Sequence, residues 1–503
     1  MLTVPRPARE RGLRDLQDHV PVHVVWEITL ACDLKCHHCG SRAGRPRREE
    51  LTTQQCLEIV DSLARLGARE VTLIGGEAYL RKDWLDLVRA IRGHGIYCAV
   101  QTGGRNLTDK RLEAAIDAGL QGVGVSVDGL RPLHDELRGV SGSFDRALDT
   151  MRRAKDLGIN VSANTQIGAR TMEDLPELMD ALIGAGATHW QIQLTVAMGN
   201  AADNPQLLLQ PYQILDLIPL LTRLYREGLE RNLLMMPGNN IGYFGPFEHV
   251  FRGIGNDSVH WSGCAAGQNV IGIEADGAMK GCPSLRTEGY TGGNLRELSA
   301  EQIWNHAEEL HFGRTRSVED LWGFCRTCYY ADVCRGGCTW TADSLFGRPG
   351  NNPYCHHRAL QLEQQGLRER VVKKRDAPGD PFAIGEFGLV VEPVPGKAPL
   401  TRAGGPDHLR PGELPSPGRI ERMGQSSGAA PADTRHGRIP PRLPLCRACH
   451  RYVHASEISC PHCGSDLASS EKAYQRLAAR RRELIERVES AITPNRARGP
   501  RAP

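Results

Sequence analysis

The sequence predicts an α/β fold: a partial, open (β/α)6 TIM-like barrel, followed by a cysteine-rich domain, a disordered linker, and a small metal-stabilised module with a C-terminal helix. Between residues 22 and 200, six strand-like segments alternate with amphipathic helix-like segments, as expected for a parallel sheet. Six units are too few for the closed eightfold barrel. The cysteines cluster in residues 32–39, 264–355 and 446–463, and residues 376–445 are rich in proline and glycine.

Each element has its own signal in the sequence. Apolar runs that suit buried parallel strands are His23–Thr29, Glu70–Ile74, Ile96–Gln101, Gly122–Val127, Asn160–Ile167 and Trp190–Val196. Helical apolar spacing marks Thr52–Leu66, Trp84–Ile91, Asp109–Ala118, Phe144–Leu157 and Glu173–Ile183. In such folds the chemistry lies at the C-terminal ends of the strands.

The predicted domain limits follow from these patterns. They are an N-terminal extension at 1–21, the barrel at 22–200, a mainly helical connecting region at 201–262, the cysteine-rich domain at 263–370, the disordered linker at 376–445, the small module at 446–466 and an amphipathic helix at 471–492. The extension is too short to hold a separate peptide-recognition domain before the first strand.

Composition excludes several classes of function. The 503 residues carry a formal net charge of +3, which argues against a general binder of nucleic acid or membrane surfaces. No apolar run reaches the roughly 18 residues of a membrane span, and the N-terminus lacks the apolar segment of a secretion signal. We therefore expect a cytoplasmic protein.

The 16 cysteines indicate metal binding. Disulfides are rare in a reducing cytoplasm, so clustered cysteines there are better explained by metal. Cys56 and Cys98 lie outside the groups, among apolar residues, and we expect them to be ordinary core thiols.

The first group, Cys32, Cys36 and Cys39, directly follows the first predicted strand. Three thiolates can hold an iron–sulfur cluster, and three ligands on a [4Fe–4S] cluster leave one iron open, as catalytic metal sites do. The alternative is a zinc site with His37 or His38 as the fourth ligand. A ligand loop after the first strand of a βα array favours an active site.

This CxxxCxxC pattern in its setting resembles the radical S-adenosylmethionine (SAM) superfamily. The resemblance implies a partial (β/α)6 barrel in which Cys32, Cys36 and Cys39 ligate the catalytic [4Fe–4S] cluster. It also implies that the amino and carboxylate groups of SAM chelate the open iron. One electron from the reduced cluster would then cleave SAM, and the 5′-deoxyadenosyl radical would take hydrogen from a substrate.

Further segments match the family's SAM-binding marks. Gly75-Gly76-Glu77 follows the second strand and matches the motif that binds the SAM amino group, although Ala78 stands where the family often has proline. Thr102-Gly103-Gly104 resembles a turn found after the third strand. Asn164 has the alternative of a capping or core amide. The cofactor-binding candidates implied by the resemblance are Gly75, Gly76, Glu77, Ser126, Asp128 and Asn164.

The second group resembles the SPASM extension of radical SAM enzymes. Its members are Cys264, Cys282, Cys325, Cys328, Cys334, Cys338 and Cys355. The resemblance implies two auxiliary [4Fe–4S] clusters, one held by Cys325, Cys328, Cys334 and Cys355, the other by Cys264, Cys282 and Cys338. The second has an open iron or a non-cysteine ligand, because an eighth cysteine found in some members is missing. Structural zinc is the alternative. Such clusters can accept an electron, which favours a net two-electron oxidation.

The third group, Cys446, Cys449, Cys460 and Cys463, has the two-knuckle spacing of a Zn²⁺ ribbon. A rubredoxin-like iron site is the alternative. Because the ribbon follows a long linker, we interpret it as a module that docks a partner or substrate. The helix after it is expected to pack on its own domain, or else to form a dimer seam.

Three functions fit these motifs. Enzymes with SPASM domains mostly modify peptides or proteins, so we expect a maturase that forms a crosslink or oxidises a side chain. The alternatives are a small-molecule oxidation in tetrapyrrole or cofactor biosynthesis, and a non-catalytic iron–sulfur or zinc scaffold. Expected partners are a peptide or protein substrate, an electron donor such as flavodoxin or ferredoxin, and a separate leader-binding protein. No acid or base is singled out among the candidates Asp128, Tyr243 and His260.

Overall fold

The computed structural model describes residues 8–253, 259–396 and 441–492. These residues form two units. The first comprises the described residues up to Tyr243 and those from Trp261 to Gly396. The second comprises the described residues of 244–260 together with 441–492. Within the described ranges, no helix is both long and apolar enough to cross a bilayer.

The first six strands occur at or near the six predicted positions, and six further strands follow them in the described part of the chain. They are β1 (His23–Glu27), β2 (Glu70–Ile74), β3 (Tyr97–Thr102), β4 (Gly122–Ser126), β5 (Asn160–Ile167), β6 (His189–Leu194), β7 (Leu234–Pro237), β8 (Val270–Ile273), β9 (Ala278–Lys280), β10 (Thr291–Asn294), β11 (Leu367–Arg375) and β12 (Glu386–Pro393). β1 to β7 run parallel and pair in chain order. The predicted α/β fold with a partial barrel is therefore confirmed.

Sixteen α-helices occur among the described residues, and several of them pack against the strands. They are α1 (Leu13–Gln17), α2 (Thr53–Arg65), α3 (Trp84–Gly93), α4 (Asp109–Asp117), α5 (Leu133–Arg138), α6 (Ser143–Asp156), α7 (Leu175–Gly184), α8 (Asn200–Asp203), α9 (Ile214–Glu230), α10 (Glu248–Gly253), α11 (Ala300–His306), α12 (Glu308–Thr315), α13 (Ala331–Cys334), α14 (Thr339–Phe346), α15 (His356–Gln364) and α16 (Leu467–Ile492). α5 was not predicted from the sequence, because one and a half turns are too few to show a helical period.

α2 illustrates how the sequence sets a barrel helix. The hydroxyl of Thr52 accepts the backbone N–H of Gln55 and caps the first turn. Cys56, Ile59 and Leu63 are buried at helical spacing. Cys56 is thus a core thiol, and Cys98 in β3 is also fully buried.

The cysteine-rich domain extends the barrel sheet. β8 pairs in parallel with β1, β9 pairs antiparallel with β8, and β10 pairs antiparallel with β9. The sheet order is therefore β10-β9-β8-β1 and then β2 to β7. β7 joins this sheet from within residues 201–262, which the sequence predicted to be mainly helical. Four residues are too few for periodicity to show, so β7 depends on pairing with β6.

The predicted disordered linker starts too early. β12 lies inside residues 376–445 and pairs along its length with β11. The composition of that region suggested disorder, but cross-strand hydrogen bonds and the burial of Phe387 give the strand its partner. The rest of the predicted linker, residues 397–440, lies outside the described residues.

The second unit is built from two stretches far apart in sequence. The Tyr452 hydroxyl donates to the carbonyl of Val259 at 2.8 Å, and the Leu443 N–H donates to Nε2 of His260 at 3.2 Å. The rings of His260 and Tyr452 pack edge to face. The cysteine module therefore packs on residues of the connecting region.

α16 differs from its prediction in two ways. It begins at Leu467 rather than at residue 471, since Asp466 accepts the Ser469 N–H at 2.7 Å and caps the first turn. Leu477 and Leu484 on its apolar side are 68% and 59% exposed. The expected packing of this side onto its own domain is therefore not observed for these residues.

Candidate active site

The first cysteine group forms a loop after the C-terminal end of β1. Each of its sulfurs accepts an N–H: Leu34 donates to Cys32 Sγ at 3.4 Å, Ala43 to Cys39 Sγ at 3.4 Å, and the Arg138 guanidinium to Cys36 Sγ at 3.7 Å. N–H groups aimed at sulfur stabilise the thiolates of iron–sulfur ligands. The three half-buried cysteines therefore suit a cluster, and we refer to residues 32–43 as the cluster loop.

Distant elements fix the shape of the cluster loop. The N–H groups of Lys35 and His37 donate to the carbonyls of Arg138 and Leu137, at 3.1 and 2.8 Å. Gly139 has a φ of +65°, and a Cβ there would lie 2.5 Å from the Lys35 carbonyl oxygen. Only glycine therefore allows the end of α5 to approach the loop this closely.

The zinc alternative for this loop loses support. His38 is buried, and its Nε2 lies 3.0 Å from Oδ2 of Asp128. Among the described residues, the potential metal-ligand group that contains Cys32 includes Asp33 and Glu77 but no histidine. His38 is thus in contact with Asp128 and is not brought to Cys32.

The two glycines of the Gly75-Gly76-Glu77 segment serve the protein backbone. A Cβ on Gly75 would lie 2.3 Å from the Thr29 carbonyl oxygen, and one on Gly76 would lie 2.2 Å from that of Ala31. They let the end of β2 approach the backbone just before the cluster loop. Backbone bonds from Gly76 to Thr29 and from Glu77 to Ala31 hold this contact.

Glu77 has the environment of an ammonium-binding carboxylate. It is almost fully buried, accepts the Thr102 hydroxyl and the Gly103 N–H, and has a carboxylate oxygen within 4.8 Å of Cys32 Sγ. Burial raises the pKa of Glu77 to about 7. A carboxylate still has lone pairs after two such bonds, so these residues fit the amino group of SAM. The Thr102-Gly103-Gly104 turn thus holds Glu77 through these two bonds. The Thr102 hydroxyl also accepts the Gly104 N–H, which fixes the shape of the turn.

Ser126 and Asn164 are paired in register across β4 and β5, on the inner face of the sheet, opposite the face on which α6 packs. Oδ1 of Asn164 is buried and has no hydrogen-bond partner in the described part of the chain. A buried polar atom of this kind favours a polar ligand at the site. Both residues are therefore placed to contact a cofactor or substrate.

Asp128, a cofactor-binding candidate by the family resemblance, has both carboxylate oxygens in contact with protein groups. Its Oδ1 accepts the Gln166 N–H at 2.9 Å, and its Oδ2 forms ion pairs with Arg138 at 2.5 Å and His38 at 3.0 Å. Burial would raise the pKa of Asp128, but the Arg138 and His38 charges hold that pKa well below its usual range. These contacts favour a role for Asp128 in orienting Arg138 and His38, and its contact with a cofactor stays a prediction.

The inner face of β3 to β6 is lined mainly by amides and hydroxyls. The half-buried side chains that share this face by register include the amides and hydroxyls of Gln101, Ser126, Ser162, Asn164, Gln166, Gln191 and Gln193, together with Tyr97 and Ala99 at the start of β3. The alternate residues, such as Val123, Val125 and Ala163, are buried on the other face, where α6 packs. A Cβ on Gly124 would lie 2.1 Å from Oε1 of Gln101, so the glycine leaves room for this amide.

The second cysteine group separates into two sets in space. Burial raises the pKa of Cys334, and its neighbours Cys355, Cys325 and Cys328 raise it further. Burial likewise raises the pKa of Cys338 to about 12, with contributions from Cys264 and Cys282. The neighbours that raise these two pKa values are the cysteines that the family resemblance assigns to the same set, and each set offers the thiol donors of an iron–sulfur site.

Family comparisons agree with this geometry. A model of the radical SAM superfamily matches residues 26–182, and a model of the SPASM iron–sulfur cluster-binding domain matches residues 264–329. The chain contains a radical SAM domain and a SPASM domain.

Relatives of this radical SAM/SPASM enzyme fall into two groups by name. It is 26% identical to the AdoMet-dependent heme synthase of Oleidesulfovibrio alaskensis, over 70% of this chain and 94% of the relative. It is 29% identical to the mycofactocin maturase MftC of Mycolicibacterium smegmatis, over 69% and 84%. The structure of Streptococcus suis SuiB bound to S-adenosylmethionine matches with a TM-score of 0.54 and 19% identity, over 67% of this chain and 76% of SuiB, which shows a shared fold.

Two sequence candidates for an acid or base have other contacts. Tyr243 is fully buried; its hydroxyl donates to the Asn239 carbonyl and accepts the Cys338 N–H. His260 lies in the second unit, where its Nε2 accepts the Leu443 N–H. Neither geometry favours a catalytic acid or base.

The C-terminal cysteines of this radical SAM/SPASM enzyme form a closed site. The four ligand atoms of Cys446, Cys449, Cys460 and Cys463 all lie within 4.8 Å of one another. The Cys446–Cys463 and Cys449–Cys460 sulfurs are 3.9 and 3.6 Å apart. Sulfurs around a tetrahedral Zn²⁺ with bonds of about 2.3 Å are about 3.8 Å apart. The ribbon therefore fits a single four-coordinate metal ion.

Sequence reasoning missed two features next to the cluster loop. Arg138 contacts Cys36 from 102 residues away, and its only sequence signal is the helix-ending Gly139 beside it. The β11–β12 connection, assigned to the linker, reaches the same loop: the Phe382 N–H donates to the Gly40 carbonyl at 3.1 Å, and the Gly199 N–H to that of Ala383 at 2.8 Å. No local sequence pattern predicts either contact, because the residues involved are far apart in the chain.

A buried ionic network was also missed. Arg47 pairs with Glu27 on β1 at 2.9 Å and with Glu274 after β8 at 3.2 Å, and Lys280 on β9 pairs with Glu274 at 2.5 Å. The network joins the radical SAM domain to the SPASM domain beside the start of the cluster loop. Breaking one partner would leave a buried charge uncompensated.

Proposed function

We propose that this radical SAM/SPASM enzyme oxidatively modifies a peptide or protein, by forming a crosslink or oxidising a side chain. Cys32, Cys36 and Cys39 hold the catalytic [4Fe–4S] cluster in this proposal, and Glu77 binds the SAM amino group. Bound there, cluster and SAM supply reductive cleavage of SAM and a 5′-deoxyadenosyl radical. The two SPASM cysteine sets hold auxiliary clusters, which supply an acceptor for the second electron of the oxidation.

The amide-lined inner face is the observation that carries the peptide assignment. Side-chain amides both donate and accept hydrogen bonds, as the peptide backbone does. Gln191 and Gln193 on β6 stand opposite Asn164 and Gln166 on β5, so their amides form neighbouring pairs along the face. An extended peptide could satisfy these groups along its length.

The same strands are poorly suited to an anionic macrocycle. β3 to β6 contain no lysine or arginine. Carboxylate recognition favours arginine, whose guanidinium binds carboxylates with two parallel hydrogen bonds. A tetrapyrrole with propionate side chains would leave these amides facing an apolar ring, and the charged groups would lack partners on this face.

Tetrapyrrole oxidation is the second candidate. The observation that favours it is the resemblance to the heme synthase of Oleidesulfovibrio alaskensis, which this chain matches over 94% of that protein's length. The maturase MftC is similar at a slightly higher identity. The choice between the two substrate classes therefore depends on the inner face.

A turnover assay tests the proposal. The protein is purified without oxygen, reconstituted with iron and sulfide, reduced with dithionite and given SAM. The amount of 5′-deoxyadenosine formed is then measured with each of two kinds of candidate substrate. These are the short peptides encoded beside the gene, tested one at a time, and Fe-coproporphyrin III. We expect a peptide to stimulate deoxyadenosine formation and to lose two hydrogen atoms by mass spectrometry.

Matched variants make the assay decisive. Replacing Cys32, Cys36 and Cys39 by alanine should abolish deoxyadenosine, whereas replacing the core thiols Cys56 and Cys98 by alanine should not. Stimulation by the porphyrin and by none of the peptides would refute the peptide assignment. Deoxyadenosine formation that persists in the triple variant would refute the placement of the catalytic cluster.

A further inference from the structure

Arg138 lies between a sulfur of the cluster loop and a buried carboxylate. Its Nη1 is 3.7 Å from Cys36 Sγ, and its Nη2 is 2.5 Å from Oδ2 of Asp128. The side chain is buried, as is that of Asp128. Little solvent is therefore present to screen its charge from the sulfur.

Asp128 and His38 fix the direction of this charge. The Asp128 carboxylate contacts the guanidinium nitrogen that does not face Cys36, and it is itself bound by His38 and by the Gln166 N–H. The positive group thus faces the sulfur, and the negative group stands behind it. The backbone carbonyls of Leu137 and Arg138, which hold the cluster loop, keep this order of groups in place.

We propose that Arg138 is a positioning residue that raises the reduction potential of the catalytic cluster through Cys36, opposed by Asp128. The proposal rests on the proposed function, because it takes the cluster to be held by the three cysteines of the loop. On reduction the cluster takes up one electron from the donor, its net charge becomes more negative by one, and no protein bond is made or broken. A fixed positive charge and an N–H directed at a ligand sulfur stabilise the reduced state.

The pair Arg138–Asp128 gives the proposal two opposite predictions. Arg138→Gln removes the positive charge, so the fraction of catalytic cluster reduced at a fixed potential should fall about tenfold, the order of one hydrogen bond to a charged group. For a one-electron couple, a tenfold change corresponds to a midpoint about 59 mV more negative. Asp128→Asn removes the opposing charge, so its midpoint should become less negative than that of the native protein. Arg138→Lys keeps the charge and should restore most of the native midpoint.

The matched control is Arg170→Gln. Arg170 forms an ion pair with Glu136, which lies on α5 as Arg138 does. Both side chains of this pair are about half exposed, at 45% and 51%. Water screens such a charge, so the midpoint should stay at the native value. A shift as large as that of Arg138→Gln would assign the effect to the overall charge of the protein and overturn the proposal.

The measurement is an electron paramagnetic resonance redox titration of the reconstituted full chain, with iron content determined for each variant. The catalytic cluster is identified as the part of the signal that changes when SAM is added. Absence of a SAM-responsive signal in the native protein would refute the proposed function. A second outcome is a normal signal and iron content in all variants, with midpoints that do not move or that move in the same direction. This outcome would refute the role of Arg138 and leave the proposed function standing.

Discussion

The cluster loop and the C-terminal ribbon hold cysteines in opposite ways. In the ribbon, four cysteines from two short turns converge to within 4.8 Å, with local bonds such as Gly464 N–H to the Cys460 carbonyl shaping each turn. In the cluster loop, three cysteines stand at half-buried positions, and α5 and Asn200 from elsewhere in the barrel hold the backbone. The comparison teaches that a closed site for one ion is formed from local turns, whereas an open site for a cluster and a second ligand depends on the surrounding barrel.

The largest expected effect separates the two cysteine sites. Cys36→Ala should reduce deoxyadenosine formation to the level without enzyme, because the catalytic cluster loses a ligand, while the ribbon keeps its metal. Cys449→Ala should release the ribbon metal and unfold that module, since structural Zn²⁺ contributes on the order of 10 kcal/mol to such small domains.

Metal analysis and deoxyadenosine assays on both variants check this separation. We expect Cys449→Ala to retain SAM cleavage. If it lost SAM cleavage as fully as Cys36→Ala does, the ribbon would not be independent of the catalytic chemistry. Finding iron in place of zinc in the native ribbon would support the rubredoxin-like alternative.

A smaller effect tests whether α5 holds the cluster loop. Gly139→Ala places a Cβ 2.5 Å from the Lys35 carbonyl oxygen at a φ of +65°, and should cost about 2 kcal/mol and lower the iron content of the loop. Gly142→Ala is the matched control, because its φ is +77° and a Cβ there meets nothing within 4 Å. Thermal unfolding and iron content of the reconstituted variants provide the measurement. Equal losses in both would assign the effect to backbone conformation and not to the loop contact.

The smallest effect tests how local the ribbon is. Tyr452→Phe removes the hydroxyl that donates to Val259, and should cost about 1 kcal/mol of ribbon stability. The rate of metal release to a competing chelator should rise accordingly. Tyr474→Phe keeps the ring that Arg447 contacts and should release metal at the native rate. An unchanged rate in Tyr452→Phe would mean that the hydrogen bond to Val259 does not stabilise the ribbon.

The sequence predicted the elements that have a clear local pattern. The six barrel strands and α2 were found because apolar periodicity follows directly from a buried face. β7 and α5 were missed because four to six residues are too few to show a period. β12 was missed because its region is rich in proline and glycine, while its hydrogen bonds come from β11. Asp128 shows the same limit at the site: the family resemblance made it a cofactor-binding candidate, but its partners Arg138 and His38 come from other elements and could not be foreseen.

By itself, the sequence determined which atoms are available for chemistry: the spacing of the thiols, the Gly75-Gly76-Glu77 segment and the order of strands that brings them to one edge of a sheet. Tertiary structure alone decided their surroundings: which carbonyls hold the cluster loop, that Gly75 and Gly76 serve backbone contact, and that the guanidinium of Arg138 faces Cys36. The physical reason is the distance along the chain over which each interaction acts. Turn geometry and periodicity act over a few residues and can be recognised in the chain, whereas burial, charge pairing and close backbone approach depend on groups that folding brings together from far apart in sequence.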